Sequence, residues 1–325
     1  MPVKLYDYMV KISLKPGKYV VAVSGGVDSV TLLHIVMQKS LSAVNSEQLS
    51  VAENIQQKPD YSSPFGLVVA HFDHGIRSNS SEDENFVRGL AKRYGLPYES
   101  AQGHLGPETS EAYAREKRYE FLRKITKKHN AIGIITAHHQ DDVIETAIIN
   151  VIRGTDRRGL SSLRPENGDL LRPFINFPKS EIIAYAKKHN LEWVEDETNS
   201  SDKYLRNRVR KALEESDSEL KSTFLQWLSG MENLNDQIDL LMSEYLKSII
   251  DRNGDVTRSR FIELEHVLAR DFLAVWLRMF KVEFNRKLLE KLVIDLKVGK
   301  IHAEYDIDKH HYFLLGSKQI SLRRR

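Results

Sequence analysis

The stretch VVAVSGGVDSVTLLHI, residues 20–35, sets Ser24-Gly25-Gly26-Val27-Asp28-Ser29 between an apolar run rich in β-branched residues and a segment with Val30, Leu33 and Val36 at helical spacing. A strand–loop–helix of this kind turns backbone N–H groups and the positive end of a helix toward an anion. Gly25 and Gly26 let the chain turn sharply and let backbone approach a phosphate closely. Ser24 and Ser29 can donate hydroxyl hydrogen bonds. A carboxylate beside polyphosphate is repelled unless it holds a cation, so Asp28 points to Mg2+. The loop is not a Walker A, because the Gly-Lys-Ser/Thr ending is missing, and it is not G-x-G-x-x-G.

A second constellation follows His138 and His139. Asp141, Asp142 and Glu145 open a helical segment, and Asp142 and Glu145, three residues apart, share a face. A helix N-terminus favours acids through its dipole, but three acids after two histidines exceed what capping needs. His71 ends a second apolar run and His74 follows it; the carboxyl edge of parallel strands is where ligands bind in such sheets. His34 lies within an apolar helix stripe and reads as a packed structural residue. Two segments are strongly basic. Between 115 and 128, Arg115, Lys117, Arg118, Arg123, Lys124, Lys127 and Lys128 face only Glu116 and Glu120, with Tyr113 and Tyr119 nearby. Residues 204–211 carry Arg206, Arg208, Arg210 and Lys211. Such helices can grip phosphate. A third cluster runs from Arg278 to Lys300, and the tail ends Arg323-Arg324-Arg325.

These groups need a scaffold. Residues 19–23, 67–71 and 132–137 read as buried strands, with weaker strands near 97–101 and 169–172 and helices near 82–94 and 110–129. Alternating strand and helix predicts an α/β, Rossmann-like parallel sheet with helices on both faces. Residues 41–66, rich in Ser, Gln, Asn and Pro, read as a surface insertion. The pattern changes around 212–218. From there to about 296 the chain reads as helical, and 301–323 as short strands. Two domains are expected, 1–215 and 216–325, the second smaller and mainly helical.

The 325 residues are 41% hydrophobic and 29% charged, which suits a soluble globular protein. No stretch approaches a membrane helix, and the N-terminus is too polar for a signal peptide; a cytoplasmic location is the expectation. The net charge of +3 means that any nucleic-acid partner must be met by local patches. There is no cysteine, which excludes disulfides, thiolate metal sites, iron–sulfur clusters and cysteine nucleophiles.

Ser-Gly-Gly-x-Asp-Ser after a strand resembles the signature of the PP-loop ATP pyrophosphatases, which cleave ATP between the α- and β-phosphates and adenylate a substrate. Further segments sharpen the resemblance: AHFDHGIRSNSSEDENFV (70–87), EAYAREKRYEFL (111–122), TAHHQDDVIET (136–146) with Asn150 and Arg153-Gly154-Thr155, LLRPF (170–174), KSEIIAYAKKHNLEWVEDETNSS (179–201) and YLRNRVR (204–210). In this order they are similar to the tRNA(Ile)-lysidine synthase family, over most of 18–211. One departure stands out: the family's Gly-Leu-x-Gly-Met reads RRGLSSLRP here, with Ser162 and Leu163 in place of Gly-Met. Residues 216–325 bear only a general likeness.

The resemblance implies a two-step reaction. ATP adenylates O2 of the wobble cytidine in the CAU anticodon of an isoleucine tRNA; the amine of free L-lysine then displaces AMP. It assigns lysine to Asp142 and Glu145, ATP to residues 24–29 and His71, and Mg2+ to Asp28 and Asp141. It implies catalytic support from Asp28, Asp142, Arg115, Arg206 and Arg208. Arg118, Arg210 and Lys211 are expected on tRNA, and a homodimer is implied as well. Rival readings are a PP-loop tRNA thiolase, which the missing cysteines disfavour, and a non-catalytic nucleotide-dependent RNA-binding module, which has no need of acids beside phosphates.

Overall fold

The computed structural model describes residues 14–42, 65–75, 80–103, 106, 109–155, 157–161, 163–195 and 205–325. The expected insertion at 41–66 falls almost wholly outside these residues, as do Ser162 and the end of the VEDETN stretch. Residues up to Trp227 form one compact unit and Leu228–Arg325 a second.

The first unit is built on a sheet of order β3-β2-β1-β4-β6-β5. Strands β1 (Gly17–Ala22), β2 (Phe65–Asp73), β3 (Tyr98–Gln102), β4 (Gly133–Ile135) and β6 (Leu170–Leu171) are mutually parallel; β5 (Glu166–Asn167) pairs antiparallel with β6 at the edge. Register is set by apolar residues on both faces: Val20 pairs Val68 and Ile134, and Val21 pairs Val69 and Ile135. Alternate side chains leave a strand on opposite sides. Tyr19, Val21, Leu67 and Val69 accordingly join one core, while Val20, Val68, Ala70 and Ile134 join another. A central strand buried on both faces reads as a continuous apolar run for this reason.

Helices α1 (Val27–Ser42) and α2 (Ser80–Arg93) cover the first face with Val30, Leu33 and Met37, and with Val87, Leu90 and Ala91. Helix α3 (Glu111–Lys128) covers the other with Tyr119, Phe121, Leu122 and Ile125. Ser110 starts α3, its Oγ accepting the Tyr113 N–H at 3.3 Å, a cap worth about 1 kcal/mol. Helix α4 (Gln140–Ile152) follows β4 directly and leads into a short 3-10 helix, Arg157–Ser161, at the site of the family departure. Helix α5 (Lys179–Lys188) returns to the first face through Ile182 and Tyr185, and α6 (Leu205–Glu214) follows. His34 packs as expected: it is buried, its Nδ1 lies 3.0 Å from the Tyr94 hydroxyl, and its ring sits beside Tyr185 and His189. Burial and the nearby His189 push its pKa down to about 4.

Helix α7 (Ser218–Ile249) carries the division between the two units. The second unit adds β7 (Val256–Thr257), α8 (Arg258–Glu263), α9 (His266–Met279), α10 (Arg286–Val298), β8 (Glu304–Asp306), β9 (His311–Leu315) and β10 (Gln319–Arg324). Its antiparallel sheet has the order β7-β10-β9-β8, and its core gathers Phe261, Phe272, Trp276 and Phe313. The terminal strands match the sequence pattern. β7 is two residues long, too short to show periodicity in the sequence.

Candidate active site

The loop after β1 is braced by its own side chains. Ser29 Oγ donates to the Gly26 carbonyl at 3.0 Å and accepts the Ser24 N–H at 3.1 Å. Gly25 has φ +99°, a region that side chains with a Cβ avoid. Its carbonyl accepts the Val194 N–H at 3.0 Å, which ties the loop to the segment leading into VEDETN. Val27 and Asp28 begin α1, so the helix N-terminus faces the loop. Asp28 Oδ1 is buried without a hydrogen-bond partner. A buried acceptor left open in this way costs free energy unless a donor or cation meets it.

His139 joins this loop to the acids of α4. Its Nε2 lies 3.6 Å from Asp28 and 3.5 Å from Asp142, while its Nδ1 lies 3.5 Å from Asp141. Burial alone would lower the pKa of this imidazole; the carboxylates of Asp28, Asp142 and Asp141 outweigh it, and the pKa is raised. The His139 N–H donates to Asp142 Oδ2 at 2.9 Å, fixing the carboxylate at the helix start. Asp141 turns elsewhere: its Oδ2 accepts the Lys179 N–H at 2.9 Å, and Lys221 lies 3.9 Å away. The structure therefore brings Asp28 and Asp142 to one ring nitrogen and leaves Asp141 on the other. Among the described residues, no group of three or more His, Cys, Asp or Glu is arranged to hold a metal.

Glu145 sits one turn further along α4 and is 3% exposed. Arg210 Nε donates to its Oε2 at 3.1 Å, and Arg206 pairs with its other oxygen and with Glu111 at the start of α3. Arg210 also lies 3.8 Å from Asp142. Burial pushes the Glu145 carboxyl up to about 7 against the pull of Arg210. A carboxyl poised there can exchange a proton at neutral pH. Arg206 and Arg210 are four apart on α6 and share a face; Arg208 and Lys211 are exposed. The expectation from the sequence groups Arg206 with Arg208 and sets Arg210 on RNA; the structure turns Arg206 and Arg210 to Glu145. The i,i+4 spacing was the available signal for pairing Arg206 with Arg210.

The remaining residues lie around this centre. His71 donates from Nδ1 to the Val23 carbonyl at 2.9 Å, locking the ends of β1 and β2 together just before the loop; its buried Nε2 has no partner. His74 stands edge-on to Phe72, and burial together with Arg118 lowers its pKa to about 4. His138 meets Thr136 Oγ1 at 2.8 Å. Burial pulls its pKa to about 3, with Asp142 opposing and Arg118, Arg115 and Arg172 adding to the effect. Arg115 and Arg118 lie over the Tyr119 ring, at 5.0 and 5.3 Å from its centre. Arg172, just past β6, is buried beside them and was not singled out from sequence. In the second unit, Lys281, Arg286, Lys287, Lys291 and Lys300 of the third basic cluster are exposed.

The family model described as a PP-loop domain matches residues 4–216. The tRNA(Ile)-lysidine synthase of Thermotoga maritima is 31% identical over 298 residues, covering 89% of this chain and 67% of the relative. That of Enterococcus faecalis is 32% identical over 240 residues, covering 69% of this chain and 47% of the relative. The chain thus spans two thirds of the Thermotoga protein and about half of the Enterococcus one. Among solved structures, the U34-tRNA thiolase NcsA from Methanococcus maripaludis superposes with a TM-score of 0.53 at 17% identity, covering 71% of this chain and 78% of that one, a likeness of fold. With the Ser-Gly-Gly-x-Asp-Ser loop and the His-His-x-Asp-Asp segment meeting at one imidazole, the chain belongs to the PP-loop family and, within it, to the tRNA(Ile)-lysidine synthases.

Proposed function

We propose that this protein uses ATP to attach free L-lysine to the wobble cytidine of a CAU-anticodon isoleucine tRNA. The observation that carries the reading is His139, which touches both Asp28 of the nucleotide loop and Asp142 of the acid cluster. One centre can thus hold a polyphosphate and an ammonium group side by side.

Residues 24–29 cradle the phosphates with backbone N–H groups and the start of α1. The open Oδ1 of Asp28 fits Mg2+, which would neutralise phosphate charge; Asp141 would need to turn from the Lys179 N–H to join it. Cytidine O2 attacks the α-phosphorus of ATP, and pyrophosphate leaves. A lysine amine then attacks C2, the C–N bond forms, AMP departs, and the amine loses a proton. Asp142 and Glu145 supply the negative charge that a lysine ammonium seeks. Arg206 and Arg210 pair with Glu145, so an incoming ammonium shares or replaces an arginine contact. Arg115 supports charge on the adenylate, and Arg118, Arg208 and Lys211 contact RNA. Work on tRNA implies the cytoplasm, and a homodimer is checked by solution mass.

The test is direct. The protein, ATP, Mg2+, labelled lysine and folded CAU-anticodon isoleucine tRNA are incubated together. Label enters the RNA with release of AMP; an RNA without label would refute the reading. A thiolase reading lacks a sulfur-carrying residue, since the chain has no cysteine.

A further inference from the structure

Arg172 is a cation in an unusual place. It follows β6 at the carboxyl edge of the sheet, one strand beyond β4, and is 3% exposed. Its Nη1 donates to the Arg164 carbonyl at 2.7 Å, but its Nε is buried without a partner. Charged side chains are almost never fully buried unless paired. The groups acting on Arg172 are the Tyr119 phenol and a like charge, Arg115. Tyr119 in turn carries Arg115 and Arg118 over its ring. None of Arg115, Arg118 and Arg172 forms an ion pair with a carboxylate among the described residues. Asp142 acts on Arg118 from beyond ion-pair distance, and the neighbouring imidazoles of His138 and His74 add no negative charge.

A protein gathers like charges in partly buried space at a cost. That cost is offset when an anion with several acceptor oxygens enters. Guanidinium forks match phosphate oxygens in geometry as well as charge. We propose that Arg115, Arg118 and Arg172 form a phosphate-binding pocket around Tyr119, with Arg172 as its buried floor. The ligand is a phosphate group, supplied either by the polyphosphate of the nucleotide or by the backbone of the RNA. The pocket deepens the functional reading through Arg115, but its binding assays need no lysine and no turnover, so either can fail without the other.

Inorganic pyrophosphate and a CAU anticodon stem-loop are titrated separately into wild type and into Arg172→Gln, Arg172→Lys and Arg118→Gln, with circular dichroism confirming each fold. Loss of one charge-assisted fork should weaken binding about tenfold or more. Weakening confined to pyrophosphate assigns the pocket to the nucleotide; weakening confined to the stem-loop assigns it to RNA; either supports the proposal. Arg172→Lys, which keeps the charge and loses the fork, should fall between wild type and Arg172→Gln. If Arg172→Gln fails to fold, Arg118→Gln on the partly exposed α3 decides the matter. Folded variants that bind both ligands as wild type does overturn the proposal.

Discussion

Arg210 Nε meets Glu145 Oε2 at 3.1 Å across 65 positions of the chain, and the carboxyl it meets is almost fully buried. The bond joins α6 to α4 at the point where the acid cluster turns inward. Removing Arg210 leaves a buried carboxyl with less compensation. Arg210→Ala should cost about 2 kcal/mol at pH 8, where Glu145 is ionised, and clearly less at pH 5, where it is protonated. Urea denaturation at the two pH values measures the difference.

Glu145 also gives the wild type a pH signature. Its folded pKa of about 7 stands above the ordinary 4.5 of the unfolded chain, with burial as the main cause. The folded state therefore holds this proton more tightly. Stability from the group is complete below pH 4.5 and is lost as pH rises through about 7. The loss is at most about 3 kcal/mol. Glu145→Gln should flatten this part of the stability profile, and an unchanged slope would show that Glu145 does not titrate there.

Asp28→Ala should abolish AMP and pyrophosphate formation while the fold survives, because the side chain is partly exposed and its Oδ1 has no partner to lose. Steady pyrophosphate release from the variant would mean that the loop works without this carboxylate.

Lysine and ATP use should separate in α4 variants. Asp142→Asn and Glu145→Gln should raise KM for lysine at least about tenfold, the scale of one charged contact, with a smaller change for ATP. Equal losses for both substrates would remove the lysine assignment.

Gly25→Ala probes the turn itself. At φ +99° a Cβ is strained whatever room surrounds it, so the variant should lose about 1–3 kcal/mol and most of its nucleotide affinity. Calorimetric titration with ATP and a denaturation curve check both parts.

Much of the first unit was legible from residue order alone. Valine-rich runs bounded by glycine mark β1 and β2 because a strand buried on both faces must be apolar throughout. The loop at 24–29 announces a phosphate site because glycines, hydroxyls and one acid occur at a strand–helix junction, all within six positions. The acids at 141–145 follow β4 closely enough that topology alone brings them to the same edge. These are short-range patterns, and periodicity and spacing report them directly.

Other features arise only from packing. Asp141 and Asp142 are neighbours in sequence, yet they approach opposite nitrogens of His139, because the helix start sends consecutive side chains in different directions. Arg206 and Arg210 turn to Glu145 while Arg208 faces solvent, a choice made by where α6 lies against α4. Arg172 reads in the sequence as one residue of a short motif, and only the sheet brings it beside Tyr119 and Arg115. By itself the sequence determined the scaffold, the nucleotide loop and the class of chemistry. The tertiary structure decided which charges face one another and how deeply they are buried, because Coulomb energy and desolvation depend on distance and surroundings, and neither is written in residue order.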